Sequence, residues 1–246
     1  MPLIELNNVT LSYDGHIAVE NATLCVNSGD YIAVVGENGS GKSTLIKAMA
    51  GLIRPQSGSI IRPELKKHSL GYMPQSTAVQ KDFPATVEEV VFSGLLPTKG
   101  FLPFYTKEQK ERAYANMKLL HVQDLRKKSF RELSGGQQHR ALIARALCAT
   151  DQILLLDEPA SVLDPMVTHE LYDLLHELNE ARKITVVMVS HDIHCAIEQS
   201  KKILHMHRRV LYFGETAGGI CAVQGLTATW GGQGHGHGMA AKEENQ

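Results

Sequence analysis

Apolar residues along this chain fall into two kinds of pattern. Three short unbroken runs, YIAVV (31–35), ILLL (153–156) and ITVVMV (184–189), read as strands buried on both faces. Stretches with helical spacing lie around them: STLIKAMAGL after the first run, SGGQQHRALIARALC before the second, MVTHELYDLLHELNEA after it and DIHCAIEQS after the third. Buried strands alternating with helices predict an α/β core with a mostly parallel sheet covered on both sides. The beginning of the chain differs. LIELNNVTLSY and ATLCVNSG are two extended stretches around a turn at Asp14-Gly15, which predicts antiparallel sheet. SGSIIRP and HSLGYMPQ predict a further short hairpin. From Pro84 to about Phe130 the pattern turns helical, with Thr86-x-x-Glu89 and Thr106-x-x-Gln109 both of capping-box form. Between these boxes LLPTKGFLPFY, with Pro97, Gly100 and Pro103, reads as loop.

These boundaries predict one domain over residues 1–215, its core built from 1–83 and 131–215 with a helical subdomain, 84–130, inserted. Residues 216–246 turn Gly-rich and end in GGQGHGHGMAAKEENQ, too poor in apolar residues to build a core, so disorder is expected at that end.

Composition narrows the class. The 246 residues are 43% hydrophobic and 21% charged, an ordinary globular profile, and a net charge of −1 gives no global field toward nucleic acid or anionic lipid. Cys25, Cys148, Cys195 and Cys221 are scattered without a C-x-x-C pair, a pattern that suits reduced, packed thiols. MPLIELNNVT has neither a basic nor an apolar region of a signal peptide, and every apolar run is far shorter than the roughly 20 residues of a spanning helix. Any work at a membrane is therefore expected to depend on a partner.

The chemistry is concentrated in GENGSGKST (36–44), which fits G-x-x-x-x-G-K-[ST] at every fixed position. Glycines at 36, 39 and 41 allow the loop to turn its backbone N–H groups toward a phosphate, with Glu37, Asn38 and Ser40 between them. Lys42 is expected at the β- and γ-phosphates and the Ser43 hydroxyl on Mg²⁺, while Thr44 opens the helix whose N-terminus faces the anion. The chain is thus read as binding a nucleoside triphosphate. ILLLDEP adds an acid at a strand end: Asp157 is expected at the carboxyl edge of the sheet, helping to hold Mg²⁺, and Glu158 is suited to orienting or deprotonating an attacking water. LSGGQ (133–137) admits two readings. Ser134-x-x-Gln137 is a capping box with Gly135 and Gly136 as a flexible helix start, and the same hydroxyl, glycines and helix N-terminus also form a second anion cradle.

The ordered set GENGSGKST, YMPQ, LSGGQ, ILLLDEP, SVLD and VSHD resembles the ATP-binding subunit of ABC transporters. The resemblance implies a P-loop NTPase core with a mostly parallel sheet, an N-terminal antiparallel β-subdomain and an inserted helical subdomain. It implies ATP and Mg²⁺ as cofactors and a head-to-tail pair of identical chains, in which the Ser134 cradle of one copy closes on the phosphate loop of the other. It assigns Tyr13 to stacking on adenine, Gln75 to linking Mg²⁺ with a membrane permease, and Asp164 to the dimer seam. His191 would sense the γ-phosphate and position Glu158. One departure is Ala160, where the family usually carries Thr; it removes a hydroxyl near the seam and no catalytic group.

Softer similarities, in FPATVEEVVFSG (83–94), LDPMVTHELYDLLHELN and VSHDIHCAI, point within the family to subunits serving zinc or manganese importers. Such a subunit would sit at the cytoplasmic face of the membrane, beside permease subunits fed by an extracellular metal-binding protein. A soluble ABC ATPase of the iron–sulfur assembly type is the competing class. DNA-repair types are disfavoured because Gln75 to Leu133 carries no sustained heptads. His235 and His237 in the tail could bind a transition metal, but two imidazoles on a flexible tail make a weak site at best, and a solvated polar tail is the preferred reading. His205 and His207 fall on one face of a strand, where packing or exposure explains them as well as metal does.

Overall fold

A computed structural model describes the chain except residues 14, 67–68, 76–83, 100–103, 162, 192 and 217–246, together with the side chains of 98–99 and 193–195. The tail with His235 and His237, Cys221 and the Asp192 position therefore lie outside the described residues.

The chain begins with two long strands, β1 (Pro2–Tyr13) and β2 (His16–Asn27), paired antiparallel from Pro2 opposite Asn27 to Tyr13 opposite His16. The second sheet has the order β5-β6-β7-β3-β8-β9. It comprises β3 (Tyr31–Val35), β5 (Leu70–Met73), β6 (Ile153–Asp157), β7 (Thr185–Val189), β8 (Lys202–His207) and β9 (Arg209–Glu215). All its pairings are parallel except that of β9 with β8. The three apolar runs are β3, β6 and β7, each buried at all five positions.

Burial at every position follows from apolar packing on both faces of the sheet. Successive side chains of a strand point to opposite faces. Ile153 and Leu155 thus pack with β1, β2 and α1 (Lys42–Met49), whereas Leu154 and Leu156 pack under helices of the other face. The helices after α1 are α2 (Val87–Ser93), α3 (Leu96–Lys99), α4 (Lys107–Leu119), α5 (Gly135–Cys148), α6 (Pro165–Arg182) and α7 (Ile193–Gln199); Leu154 and Leu156 share a core with α2, α4, α5 and α6, and Ala196 of α7 packs with Ala33, Val35 and Ile203. Both predicted capping boxes form. Thr86 and Glu89 exchange backbone bonds at the start of α2, and Thr106 and Gln109 do so at α4. Val87, Val91 and Met117 then bury with Ile143 and Leu147 of α5, fixing the 84–130 segment on the sheet.

Two expectations need correction. Residues 57–61 and 69–75 do not form a hairpin. β4 (Ser57–Ile61) pairs with β1, Glu5 opposite Ile61, whereas β5 pairs parallel with β6. Short alternating segments fit either partner locally, and burial against distant elements decides between them. Gly71 shows what decided β5: a Cβ there would lie 2.5 Å from the Ala146 carbonyl oxygen, so the strand is seated directly under α5. The predicted loop also contains a helical turn, α3, which Pro97 permits because it sits in the first turn, where no N–H is needed.

Candidate functional site

The parallel strands place their C-terminal ends along one edge, and the register fixes what meets there. Met73 pairs with Leu156 and Asp157 with Val189. Gln75 and Glu158 each lie two residues beyond a paired position, and His191 lies two beyond Val189, so three chain segments deliver their polar side chains to one place. Gln75 Nε2 donates to Glu158 Oε2 at 2.7 Å. His191 Nε2 lies 2.5 Å from Glu158 Oε1, which makes that nitrogen the donor to the carboxylate. Both oxygens of Glu158 are thereby oriented, and each retains a lone pair for a water. Glu158 itself holds φ 54, left-handed for a residue that has no glycine freedom and stands before a proline. Backbone strain of this kind persists only where the surroundings over-determine it. One restraint is His139, buried on α5, whose Nδ1 donates to the Pro159 carbonyl oxygen.

The phosphate loop leaves β3 at Gly36 and enters α1 at Lys42. Gly36 has φ 149 and Gly41 φ 95, and a Cβ would lie 2.2 Å from the Met206 oxygen at the first and 2.3 Å from the Ala18 oxygen at the second. Here glycine answers both the conformation and the close approach of neighbouring backbone. Lys42, 5% exposed, donates from Nζ to the carbonyls of Gly36 at 2.8 Å and Glu37 at 2.7 Å. Burial lowers its pKa, and Glu158 and Asp157 oppose that shift. The loop from Asn38 through Thr44, with Ala18 and Glu158, lines a hollow of about 180 Å³.

Asp157 is 1% exposed at the end of β6. Its Oδ1 accepts from Ser43 Oγ at 2.8 Å, and Oδ2 is buried with no hydrogen-bond partner among the described residues. Burial raises its pKa, the Ser43 bond lowers it, and Glu158 raises it further. An unpaired buried carboxylate oxygen beside a hydroxyl is a donor set that suits a hard divalent cation, whose charge would reverse the local cost of ionising Asp157. Ser43 and Asp157 thus fit Mg²⁺. Gln75 reaches the same neighbourhood through Glu158.

Other predicted residues stand apart. Tyr13 ends β1 with 61% of its surface exposed. Ser134 accepts from Gln137 N at 3.4 Å and its own N–H donates to Gln137 Oε1 at 3.1 Å, so the capping-box reading of this stretch is realised within the chain. Gly136 has a steric reason as well, since a Cβ would meet Val167 Cγ1 of α6 at 2.8 Å. Ser134, Gly135, Gly136 and Gln137 do not line the phosphate-loop hollow of their own chain. Asp164, exposed, caps α6 by accepting from Val167 N at 3.0 Å. His205 is buried on β8, while His207 is exposed and lies 3.4 Å from Glu37 Oε2. Among the described residues no group of three His, Cys, Asp or Glu could hold a metal ion. Ala18 and His139 carry no motif signal; helical spacing alone marks His139 as facing inward, and nothing in the sequence names Pro159 as its acceptor.

Known proteins resemble this chain in sequence and fold. Residues 19–161 match the family described as ABC transporter. The zinc uptake system ATP-binding protein ZurA of Listeria innocua is 36% identical over 219 residues, covering 86% of this chain and 85% of the relative. The manganese transport system ATP-binding protein MntB of Bacillus subtilis is 37% identical over 234 residues, covering 94% and 93%. Among solved structures, a metal-chelate type ABC transporter in an inward-facing conformation superposes with TM-score 0.82 at 29% identity, covering 94% of this chain and 90% of that one. A bacterial ABC transporter cassette solved as a dimer superposes with TM-score 0.73 at 29% identity, covering 87% and 98%. With the phosphate loop, the acid-ended β6 and the polar convergence at Glu158 in one cassette fold, this chain belongs to the ATP-binding, ATP-hydrolysing subunits of the ABC transporter family.

Proposed function

We propose that this chain is the ATP-hydrolysing subunit of an importer of zinc or manganese ions, working as a pair of identical copies on the cytoplasmic face of a membrane permease. The observation that carries the catalytic part is the convergence of Gln75 and His191 on the two oxygens of Glu158, beside the phosphate loop. In this reading Glu158 orients and deprotonates the attacking water, and His191 holds the carboxylate while sensing the γ-phosphate. Lys42 turns from the loop carbonyls to the β- and γ-phosphates, and the loop N–H groups stabilise the charge that develops there. Ser43 and Asp157, with Gln75, hold Mg²⁺, which when bound neutralises charge on the phosphate oxygens. Tyr13 stacks on adenine.

Ser134, Gly135, Gly136 and Gln137 lie outside their own chain's phosphate hollow and stand exposed or half-buried at the start of α5. That position supports their use in trans, against the nucleotide of a second copy, with Asp164 at the seam. The cargo rests on the similarity to zinc and manganese transport relatives at 36% and 37% identity. Permease docking is supported by exposed Leu52 and Leu96 and by a hollow of about 350 Å³ lined by Ala50, Pro97 and residues of the 62–70 link, among them Arg62, Leu65 and Lys66. Among the described residues no helix is long and apolar enough to cross a membrane. An extracellular metal-binding protein would deliver the ion to the permease.

Glu158→Gln tests the site. Nucleotide binding survives and water activation does not, so the variant accumulates as a dimer in ATP and Mg²⁺ by size-exclusion light scattering. A monomer under those conditions contradicts the paired mechanism. Lys42→Ala should remove most turnover, and near-native turnover would mean the phosphate loop is misassigned.

A further inference from the structure

His191 serves Glu158 only while its own loop keeps still, and the supports of that loop can be traced. The residue before it, Ser190, is 5% exposed and bonds in two directions. Its N–H donates to the Val34 carbonyl at 3.1 Å, which ties the backbone to the end of β3. Its hydroxyl lies 2.9 Å from the Tyr172 hydroxyl, and Tyr172 is 2% exposed on α6. On that side a pocket of about 310 Å³, partly open to solvent, lies between α6 and the loop, lined by Glu158, Ala160, Leu163, Thr168, Tyr172 and His191. A side chain that borders such a pocket has packing neighbours on fewer sides, so a polar link there restrains the loop more than it would in a filled core.

The other end of α6 gives this link a direction. Asp164 caps the helix, and Tyr172 lies eight residues on, about 12 Å along its axis. A rigid helix therefore joins the exposed Asp164 turn to the serine that precedes His191.

We propose that Tyr172 is a positioning residue: through Ser190 it keeps His191 against Glu158, and through α6 it makes that contact depend on how the Asp164 turn is seated. The proposal rests on the reading of Glu158 and His191 given above. A tyrosine that merely fills the core would give up its hydroxyl at the cost of some stability and leave the rate alone.

The test uses the full chain with ATP and Mg²⁺, comparing Tyr172→Phe, Ser190→Ala and the double variant, with His191→Ala and Glu158→Gln measured alongside. Tyr172→Phe and Ser190→Ala should each lower kcat about five- to tenfold, the rate equivalent of one neutral hydrogen bond, with KM for ATP within about twofold of native. The losses in the double variant should fall short of the product of the two single losses, because the two substitutions share one bond. The imidazole resonance of His191, assigned by its loss in His191→Ala, should move in Tyr172→Phe. Ser190→Ala carries the same test from the other end of the bond should Tyr172→Phe not fold. Native kcat in the single variants, or losses that multiply in the double variant, would overturn the proposal. Native turnover in His191→Ala and Glu158→Gln would overturn the site reading itself, so the two failures are distinguishable.

Discussion

Replacing Gly36 with alanine adds one methyl group at the most crowded point of the phosphate loop. The new Cβ would stand 2.2 Å from the Met206 carbonyl oxygen and 3.0 Å from Ser40 Oγ, on a backbone at φ 149. The serine side chain can rotate away. The carbonyl cannot, because Met206 belongs to β8, which is paired with β3 on one side and β9 on the other. Gly39 provides the reference, since it has φ 77 with nothing within 4 Å of a built Cβ. Gly39→Ala should cost only the left-handed conformation, about 1–2 kcal/mol. Gly36→Ala should cost that plus displacement of β8 or opening of the loop, about 3–5 kcal/mol in all, in the range of an overpacked core. Urea denaturation of the nucleotide-free chain measures both. For a chain of this length each kcal/mol corresponds to about 2–4 °C in Tm, so the two variants should separate clearly on heating as well. Equal destabilisation by the two substitutions would refute the claim that Gly36 is held against Met206, and with it the account of how β8 shapes the phosphate loop.

Three further outcomes are expected. Asn179, fully buried, shares its amide N–H groups among the carbonyls of Gly29, Asp30 and Ile184 and accepts from Lys201 at 2.7 Å, so Asn179→Leu should destabilise the chain by about 3 kcal/mol in urea by stranding those groups. Thr86→Ala removes the hydroxyl that caps α2 and should cost about 1 kcal/mol, with no change in KM for ATP. Burial, with a smaller effect from His207, lowers the pKa of His205 below its ordinary 6.5, so the unfolded chain binds its proton first. Its contribution to stability is complete above 6.5 and declines as the pH falls through the lowered folded-state value; His205→Gln should flatten that decline in a pH series of denaturation curves.

How much of this was legible in the sequence depends on how local each feature is. The phosphate loop, the acid at the end of β6 and the helix caps are encoded in runs of four to nine residues, and each is readable because its residue pattern is local, even where distant backbone completes its geometry. The pairing of β4 was misread for the opposite reason. Ser57–Ile61 carries no mark that distinguishes β1 from β5 as its partner, and the choice is made by burial across the whole sheet. The contact of Glu158 with Gln75 spans 83 positions and that with His191 spans 33, and they meet because strand register aligns their segments. Family resemblance pointed to these two residues; periodicity could not. The roles of Tyr172, Ser190, Asn179 and His139 were not legible, since a buried polar group reveals its purpose only through its partners.

The most direct test of the central claim is uptake of labelled zinc and of labelled manganese in host cells that carry either the native chain or Glu158→Gln. Collapse of one ion's uptake in the variant is the predicted result; it ties hydrolysis at Glu158 to transport and identifies the ion. Unchanged uptake of both ions, with the native protein still hydrolysing ATP when purified, would contradict the metal-import account and leave an ATPase that serves another substrate.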